Sequence, residues 1–393
     1  ETMLHEWTPP QDPRNVPPAP RPMPPQADLE RVADMLLNAK APAIVAESIG
    51  REAEGYDATV GLAELLSIPV SEPGWMDFNN FPKDHPLYQG IGMQPYLQDA
   101  DVILTLRARA PWMPPSNKPA KATVVNIDET PFRPHMVHQS LQADVYLEGD
   151  AVATLQALVA LIREKGVDGK AVAARLEKFT ALHDELMAGR KATVDAAREK
   201  ESISPVALAA ALGDAMPDDA IYVEETITHR RFLIEHISYK GPQSFFSVAS
   251  GGLGQGMGLA MGVKLARKDR VVVMPVGDGS FMYNPVTQGL ALSQHEEIPI
   301  LIVVFNNKGY SAMRKEHHAY YPDGVAAADN ASYGHTITDL DYAELAKPFD
   351  FYGKTVDKLA DLSGVLAEAR ASVEGGTTAI VNVILDDGPP AGR

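Results

Sequence analysis

Two short polar motifs in the second half of the chain combine oxygen ligands with glycine. Gly277-Asp278-Gly279-Ser280 follows the apolar residues 271–276, and Asn306-Asn307 follows the apolar residues 298–305. A carboxylate, an amide oxygen and a nearby backbone carbonyl are hard ligands that suit Mg²⁺, which usually shares its shell with water and phosphate oxygens. The glycines would let the backbone approach a phosphate closely. Together the motifs predict a site for a metal diphosphate.

The positions of the two motifs strengthen this prediction. Each motif ends an apolar run that is typical of a buried strand, and 26 residues separate Gly279 from Asn306. Ligands of open α/β sheets bind outside the carboxyl ends of the strands. A third polar segment, Glu225-Thr226-Ile227-Thr228-His229, also follows an apolar run. We expect a helix after Gly279 to direct its N-terminal amide groups at the same place. The alternative is that both motifs are ordinary turns at strand ends.

Apolar strands that alternate with amphipathic helices position these motifs. The pattern predicts an α/β fold with two doubly wound domains, each built on a mainly parallel sheet. A stretch with nine prolines between Pro9 and Pro25 predicts an extended linker. The expected divisions are a proline-rich linker over residues 1–26, a middle domain over 27–167, a charge-rich helical connection over 168–202, and a second domain over 203–393.

The composition argues against several classes of function. The net charge of −17 disfavours nucleic acid and anionic membranes as partners, since both need local positive charge. The absence of cysteine excludes disulfides, thiol catalysis and cysteine-bound metal. No apolar run reaches membrane-spanning length, and no signal-peptide pattern opens the chain. We therefore expect a cytoplasmic protein that acts on a small molecule.

The Gly-Asp-Gly and Asn-Asn motifs, at this spacing, resemble the thiamine-diphosphate signature. Residues 247–266, SVASGGLGQGMGLAMGVKLA, are similar to the matching glycine-rich segment of acetolactate synthases and benzoylformate decarboxylases. Residues 224–228 resemble the "NEST"-like segment of the same family. The resemblance covers most of the chain, because the first domain is similar to the middle domain of this family. It implies a thiamine-diphosphate-binding fold for the second domain, with thiamine diphosphate and Mg²⁺ as cofactors.

The resemblance also implies a role for each matching position. Asp278 and Asn307 would bind Mg²⁺ through their side chains, and Gly309 would bind it through its carbonyl. Leu253 would hold the cofactor in a bent shape that brings its own reacting groups together. The carbonyl of Gly251 would accept a hydrogen bond from the aminopyrimidine. The residues that would hold the diphosphate are Thr228, Gly277, Gly279, Ser280, Tyr310 and Ser311.

Members of this family also need a glutamate that lies on a separate pyrimidine-binding domain, contributed by another subunit. This chain begins instead in a proline-rich connector of the kind that would follow such a domain. The full protein is then longer than this sequence, or the missing domain is a second polypeptide, or the chain is a degenerate member; we favour the first two. The resemblance further implies a homodimer or a tetramer.

The middle domain of some relatives binds FAD or ADP. Here Asp128 could meet a ribose hydroxyl, and Arg107 or Arg109 could meet phosphates. The chain contains no clean G-x-G-x-x-G fingerprint. We therefore prefer a structural domain with a vestigial site over a nucleotide-binding one.

Three histidines are candidates for proton transfer near neutral pH. His229 follows the segment expected to hold the diphosphate and could face the reacting centre. His317 and His318 lie on a helix or loop that we expect close to the metal motif. For each of them, a purely structural histidine is the alternative.

The function that we predict is a lyase that depends on thiamine diphosphate and Mg²⁺ and decarboxylates a 2-oxo acid without oxidation. An acetolactate-synthase-like carboligase or a 2-hydroxyacyl lyase is the first alternative, because each reaction makes or breaks a carbon–carbon bond beside a carbonyl. A non-catalytic partner subunit is a second alternative, disfavoured by the intact set of Asp278, Asn307 and Gly309. A nicotinamide-dependent dehydrogenase is a third, disfavoured by the absence of the dinucleotide fingerprint.

Overall fold

The computed structural model describes residues 19–132, 142–248, 252–329, 334–337 and 339–387, together with Asn15. Most of the expected proline-rich linker lies outside these residues, and so does Gly251. The strands in the described ranges are β1 Pro42–Ala46, β2 Val70–Glu72, β3 Tyr88–Ile91, β4 Val102–Leu106, β5 Thr123–Asp128, β6 Val145–Glu148, β7 Ile221–Glu224, β8 Phe245–Ser247, β9 Val272–Gly277, β10 Leu301–Asn306, β11 Tyr352–Val356 and β12 Ala379–Ile384.

Helices separate most of these strands along the chain. They are α1 Gln26–Asn38, α2 Ala53–Leu66, α3 Ala151–Lys165, α4 Gly169–Arg198, α5 Pro205–Ala215, α6 Arg230–His236, α7 Gly256–Ala266, α8 Asp278–Tyr283, α9 Val286–Glu296, α10 Ser311–Tyr320, α11 Val325–Ala328 and α12 Leu359–Glu374. Short 3₁₀ helices span Ile49–Arg51, Pro95–Asp99, Pro115–Asn117 and Tyr342–Phe349.

The described strands form two six-stranded sheets. Their orders are β3-β2-β1-β4-β5-β6 and β11-β12-β10-β9-β7-β8. Every pair of neighbouring strands is parallel. Helices flank both sheets, and in the second sheet they cover both faces. The predicted α/β fold with two doubly wound domains is confirmed. In the second sheet the strand order reverses between β7 and β9, which is where open α/β sheets hold their ligands.

The central strands of the second sheet are buried on both faces. Every residue of β9 and β10 is buried, as the continuous apolar runs require for strands covered on two sides. Alternate residues point to opposite faces, so Val273 and Val303 pack with α5 and α12, whereas Met274 and Ile302 pack with α7 and α9. This double burial fixes the register in which Phe305 lies beside Gly277.

Three strands were not predicted from the sequence, namely β3, β8 and β11. All three have only one strand neighbour, since β3 lies at one edge of the first sheet and β8 and β11 lie at the two edges of the second. They span three to five residues, YQGI, FFS and YGKTV. Edge strands are short and need not be apolar on both faces, so their sequences carry a weak periodic signal.

A segment of the first domain packs against the second. Phe78 forms an antiparallel bridge with Phe246, and their rings meet edge to face at 5.6 Å between centroids. Asn79 donates a hydrogen bond from Nδ2 to the carbonyl of Gly241 at 2.7 Å. This junction places the loop after β2 opposite the strand ends of the second sheet.

Helix α4 is the long, charge-rich element expected between the domains. It spans 30 residues, and Phe179, His183 and Ala197 are its buried positions. Nδ1 of His183 lies 2.8 Å from the carbonyl of Tyr88, which joins the helix to strand β3. No helix in the described ranges is long and apolar enough to cross a membrane.

Candidate active site

Asp278 lies at the carboxyl end of β9, beside the end of β10. The register that pairs Gly277 with Phe305 brings the residues after both strands to one edge of the sheet. Oδ1 of Asp278 accepts a hydrogen bond from the backbone N–H of Gly279 at 2.8 Å, and Oδ2 accepts one from Gly309 at 3.0 Å. The expected helix begins at Asp278 itself, earlier than predicted, and spans only six residues.

This carboxylate is suited to a cation. Asp278 is only 3% exposed, and its hydrogen-bond partners in the described part of the chain are backbone N–H groups. Burial raises the pKa of Asp278 to about 6, although these N–H groups and His229 oppose the rise. A buried carboxylate without a positive partner loses solvation, and a divalent ion would offset that loss.

Asn307 supplies the second expected ligand at the same edge. Its Nδ2 donates to the hydroxyl of Ser311 at 2.9 Å, so its amide oxygen is the atom with metal-ligand chemistry. The described ranges contain no group of three or more His, Cys, Asp or Glu side chains placed to hold a metal. A metal here would therefore depend on one carboxylate with amide and carbonyl oxygens, and the residues fit that set.

Gly279 is required for a reason that the sequence did not show. A Cβ at this position would lie 2.7 Å from the ring of Tyr310, which is closer than van der Waals contact allows. The glycine therefore admits the Tyr310 ring, and this contact joins the Gly-Asp-Gly turn to the loop after β10. The backbone N–H of Tyr310 in turn donates to the carbonyl of His335 at 2.7 Å.

The segment after β7 is held by the buried carboxylate of Glu224. Glu224 accepts a hydrogen bond from the Thr226 hydroxyl at 2.7 Å and one from Nε of Arg230 at 2.7 Å. Burial alone would raise the pKa of Glu224, but Arg230 and Thr226 hold it below its usual value. Ile227, in the middle of the segment, adopts a left-handed backbone with φ of 50°. This turn places Thr228 and His229 on the cavity.

Glu225 organises the glycine-rich segment, a role that sequence reasoning missed. Its carboxylate accepts hydrogen bonds from the backbone N–H groups of Gly254, Gln255 and Gly256 at 2.7, 3.2 and 3.0 Å, and from Nδ2 of Asn284 at 2.7 Å. A Cβ at Gly256 would lie 2.6 Å from Oε2 of the same glutamate. These contacts fix the start of α7 and, with it, the position of Leu253.

The three candidate histidines occupy different places. His229 is buried, lines the cavity, and has Nε2 2.9 Å from Oδ2 of Asp387. His317 and His318 lie on α10 and are not among the residues that line the cavity. The ring of His317 instead meets that of His335 edge to face at 5.7 Å. Of the three, His229 is the one whose location suits contact with a ligand.

A cavity of about 1200 Å³ lies between the two domains and includes most of the predicted site. Of the fourteen residues predicted from the sequence, eleven line it: Thr228, His229, Leu253, Gly277, Asp278, Gly279, Ser280, Asn307, Gly309, Tyr310 and Ser311. Its opposite wall was not predicted, because it comes from the first domain. That wall includes Trp75, Asp77, Met93, Trp112 and Met113.

Arg107, one of the two arginines considered for a nucleotide site, faces carboxylates of its own domain. Its Nε lies 3.0 Å from both carboxylate oxygens of Glu129, and it also contacts Glu52. Asp128 accepts a hydrogen bond from the backbone N–H of Thr130 at 2.8 Å. Phosphate would have to compete with two carboxylates for this guanidinium.

Arg109, the second of these arginines, also pairs with carboxylates of its own domain. It lies 2.6 Å from Glu47 and 2.9 Å from Asp77, which comes from the loop after β2. Burial raises the pKa of Glu47, and the neighbouring Arg109 opposes the rise. Ion pairs thus cross the crevice of the first sheet. They favour a structural role for this domain over nucleotide binding.

Two sequence patterns of one protein family match this chain. The pattern described as "Thiamine pyrophosphate enzyme, C-terminal TPP binding domain" matches residues 227–383, and "Thiamine pyrophosphate enzyme, central domain" matches residues 29–158. Together they cover well over half of the chain. The chain belongs to the thiamine pyrophosphate enzymes. The predicted family is confirmed, and the family's domains imply thiamine diphosphate as the cofactor.

Relatives of this thiamine pyrophosphate enzyme carry more than one activity in their names. Acetolactate synthase from Mycobacterium leprae is 26% identical over 368 residues, which are 90% of this chain and 56% of the relative. Benzoylformate decarboxylase from Pseudomonas aeruginosa is 26% identical over 364 residues, 89% of this chain and 62% of the relative. The chain thus spans little more than half the length of these relatives.

Solved structures share the fold of this thiamine pyrophosphate enzyme. Benzoylformate decarboxylase from Polynucleobacter necessarius matches with a TM-score of 0.74 and 21% identity, covering 99% of this chain and 70% of that one. A 4-hydroxybenzoylformate decarboxylase from Rhodococcus jostii RHA1 matches with a TM-score of 0.72 and 20% identity, covering 94% and 66%. At these identities the likeness concerns the fold.

Proposed function

We propose that this chain is part of a lyase that decarboxylates a 2-oxo acid without oxidation, using thiamine diphosphate and Mg²⁺. The observation that carries the proposal is the buried carboxylate of Asp278, beside Asn307 and Gly309 at one end of the cavity. When bound, thiamine diphosphate supplies a nucleophilic carbon and an electron sink for cleavage beside a carbonyl. The protein's part is to bind, to orient and to limit access of water.

Each side of the cavity has a part in this proposal. Asp278, Asn307 and the Gly309 carbonyl would hold Mg²⁺. The diphosphate would lie against Thr228, Gly277, Gly279, Ser280, Tyr310 and Ser311. Leu253 is 36% exposed at the cavity surface, where it would support the bend between the two rings of the cofactor. The first-domain wall would then exclude water from the acyl group of the substrate.

A pyrimidine-binding domain from another chain, or from a segment before Glu1, would complete the site and supply its glutamate. This part of the proposal is supported by the share of each relative that the chain leaves uncovered. It is also supported by apolar side chains left exposed on the cavity wall: Trp75 at 48%, Met113 at 55%, Ile227 at 38% and Met313 at 57%. A homodimer or a tetramer in the cytoplasm is the assembly that we propose.

A carboligase or a 2-hydroxyacyl lyase is the second candidate. It is favoured by the relatives named acetolactate synthase and would use the same metal and diphosphate residues. The two candidates differ in the fate of the acyl group after cleavage. An aldehyde product from a single 2-oxo acid would support the decarboxylase, and a product joined to a second carbonyl compound would support the carboligase.

The first experiment is mass spectrometry of the protein purified from its source. We expect either a longer chain or a companion of about 150–200 residues, the usual size of one domain. That preparation, supplied with thiamine diphosphate and Mg²⁺, is then assayed for CO₂ release from a panel of 2-oxo acids. A single species of this chain's mass, 42.4 kDa, without a companion would contradict the proposed lyase.

A second experiment tests the metal site directly. In the complete protein identified by the first experiment, binding of thiamine diphosphate, measured calorimetrically, should require Mg²⁺ and should weaken at least tenfold in Asp278→Ala. Asp269→Ala is the matched control, because that aspartate pairs with Arg267 on the surface. Binding that is independent of both Mg²⁺ and Asp278 would overturn the assignment.

A further inference from the structure

The last strand of the second sheet brings a carboxylate to the back of the cavity. The backbone N–H of Leu385, just after β12, donates to the carbonyl of Asn306 at 2.9 Å. This contact places the residues after β12 at the same edge as the proposed metal ligands. Two aspartates follow. Asp386 lies 2.8 Å from the hydroxyl of Ser202, whereas Asp387 lies 2.9 Å from Nε2 of His229.

The ring of His229 is fixed by its surroundings. It stacks on Phe305 with 5.7 Å between ring centroids, and the residue is only 1% exposed. An ionised carboxylate has no hydrogen to donate, so it can only accept a hydrogen bond. The contact with Asp387 therefore requires Nε2 to be the ring nitrogen that carries a hydrogen. The other nitrogen, Nδ1, is buried and has no hydrogen-bond partner in the described part of the chain.

Because Asp387 occupies Nε2, Nδ1 is the ring nitrogen left for a polar contact with a ligand in the cavity. His229 lines the cavity together with Thr228 and Gly277, whereas Asp387 does not. A buried polar atom without a protein partner is uncommon in a folded protein and is usually paired with water or a ligand. The neighbouring residues are those proposed for the diphosphate, so a phosphate oxygen is the ligand atom that suits the position.

We propose that Asp387 is a positioning residue that holds His229 for a hydrogen bond from Nδ1–H to a phosphate oxygen of the cofactor. This inference rests on the proposed function. A phosphate oxygen only accepts hydrogen bonds, so both ring nitrogens carry hydrogen in the bound state. The ring then lies between two anions, and charge-assisted hydrogen bonds of this kind are stronger than neutral ones. His229 thereby contributes to cofactor binding through a partner from the far end of the chain.

Two probes separate this inference from the proposed function. Inorganic pyrophosphate with Mg²⁺ reports on the diphosphate end alone, and thiamine diphosphate with Mg²⁺ reports on the whole cofactor. Calorimetric titration of the complete protein, with its pyrimidine-binding domain present, should show that Asp387→Ala weakens binding of both probes about tenfold or more, the size of effect known for partners that orient metal-ligating histidines. Asp386→Ala is the matched control and should change both affinities less than twofold.

A spectroscopic readout distinguishes positioning from a general structural effect. In ¹⁵N spectra of the wild-type chain with Mg²⁺ and pyrophosphate, His229 should show hydrogen on both ring nitrogens; its signals are assigned by their loss in His229→Gln. Asp387→Asn keeps the shape of the side chain and removes its charge, so it should fold normally and give an intermediate affinity. Circular dichroism checks the fold of each variant.

The outcomes are distinguishable. Equal affinity of wild type and Asp387→Ala for pyrophosphate, or a bound state with Nδ1 of His229 lacking hydrogen, would overturn the inference and leave the proposed function standing. A complete protein, with its pyrimidine-binding domain present, that binds pyrophosphate through Asp387 yet does not bind thiamine diphosphate would support the inference and contradict the proposed cofactor. A complete protein that binds neither probe would overturn both.

Discussion

At the scale of single residues, the Gly-Asp-Gly turn combines an acidic group with close packing. The carboxylate of Asp278 is surrounded by protein and contacts backbone N–H groups, while Gly279 leaves room for an aromatic ring. These properties belong to neighbouring positions but have different physical causes. One concerns the solvation of a charge and the other the volume of a Cβ. Each can therefore be tested by its own substitution.

The first prediction concerns the pH dependence of stability in the metal-free chain. Burial raises the pKa of Asp278 from 3.8 to about 6, so between these values the folded state holds a proton that the unfolded state has released. The free energy of unfolding should therefore fall as pH rises through this window, by about 3 kcal/mol from this group. Relative to wild type, Asp278→Asn should gain about that amount between pH 4 and pH 7, measured by urea unfolding.

This test has an internal control. In the complete protein, with its pyrimidine-binding domain present, adding Mg²⁺ and thiamine diphosphate should stabilise wild type at pH 7 and should leave Asp278→Asn nearly unchanged. A difference between the two proteins that stays constant from pH 4 to pH 7 would show that Asp278 is not perturbed by burial.

The second prediction concerns Gly279. Its replacement by alanine should push the Tyr310 ring away, cost about 1–3 kcal/mol of unfolding free energy through overpacking, and weaken thiamine diphosphate binding. Gly258→Ala is the control, because nothing lies within 4 Å of a Cβ there. An exposed helical glycine replaced by alanine should gain about 0.5–1 kcal/mol. Thermal unfolding of both variants measures the contrast, and equal effects would refute the packing argument.

At the scale of elements, the site depends on contacts between segments that follow different strands. The residues after β7, β9, β10 and β12 meet at one edge because the sheet is parallel and its central strands are buried on both faces. The glycine-rich segment before α7 joins them through Glu225. The register of the strands therefore decides which side chains share the cavity.

The third prediction tests the role of Glu225 as the anchor of α7. In Glu225→Gln the side-chain NH₂ group would face a backbone N–H group. At least one hydrogen bond is then lost, and two hydrogen-bond donors are left pointing at each other. We expect a loss of about 2 kcal/mol in unfolding free energy and faster amide hydrogen exchange in residues 254–256. Glu374→Gln removes a half-exposed charge that pairs with Arg370, and it should change stability by less than about 0.5 kcal/mol. Unchanged exchange at Gly254 and Gly256 would contradict the anchor.

At the scale of the whole molecule, the cavity lies between two domains that approach each other through a short junction. The first-domain wall presents two tryptophans, of which Trp75 is 48% exposed and Trp112 is 2% exposed. The chain has three tryptophans in all, and the third, Trp7, lies outside the described residues. Two of the three tryptophans therefore report on the cavity.

The fourth prediction uses this report to test whether another domain covers the cavity. In the isolated chain, acrylamide should quench the fluorescence of Trp75 efficiently, and Trp75→Phe should remove most of the quenchable signal from the cavity. In the longer or two-chain protein, Trp75 should be protected severalfold, because the added domain would bury the apolar wall. Trp112→Phe is the matched control, since Trp112 is already buried without any added domain. Equal quenching of Trp75 in both preparations would contradict a covering domain.

The fold class, the family and eleven of the residues that line the cavity could be inferred from the amino-acid sequence. This was possible because continuous apolar runs identify central strands, and the polar residues that end such strands must meet at one edge of a parallel sheet. Short edge strands such as β8 and β11 lack this signal and were missed. For Gly279 the sequence suggested close approach to a phosphate, which stays a prediction, but it did not show the contact with the Tyr310 ring, 31 positions further along the chain.

Contacts between groups that are distant in sequence could be seen only in the folded structure. The partnership of His229 with Asp387, the pairing of Arg109 with Glu47, and the tryptophans on the opposite wall depend on packing between elements far apart in sequence. No local periodicity encodes such contacts, because they follow from strand order and from how one domain lies on the other. The helix carrying His317 and His318 shows the same limit, since nearness to the metal motif in sequence did not place either ring in the cavity.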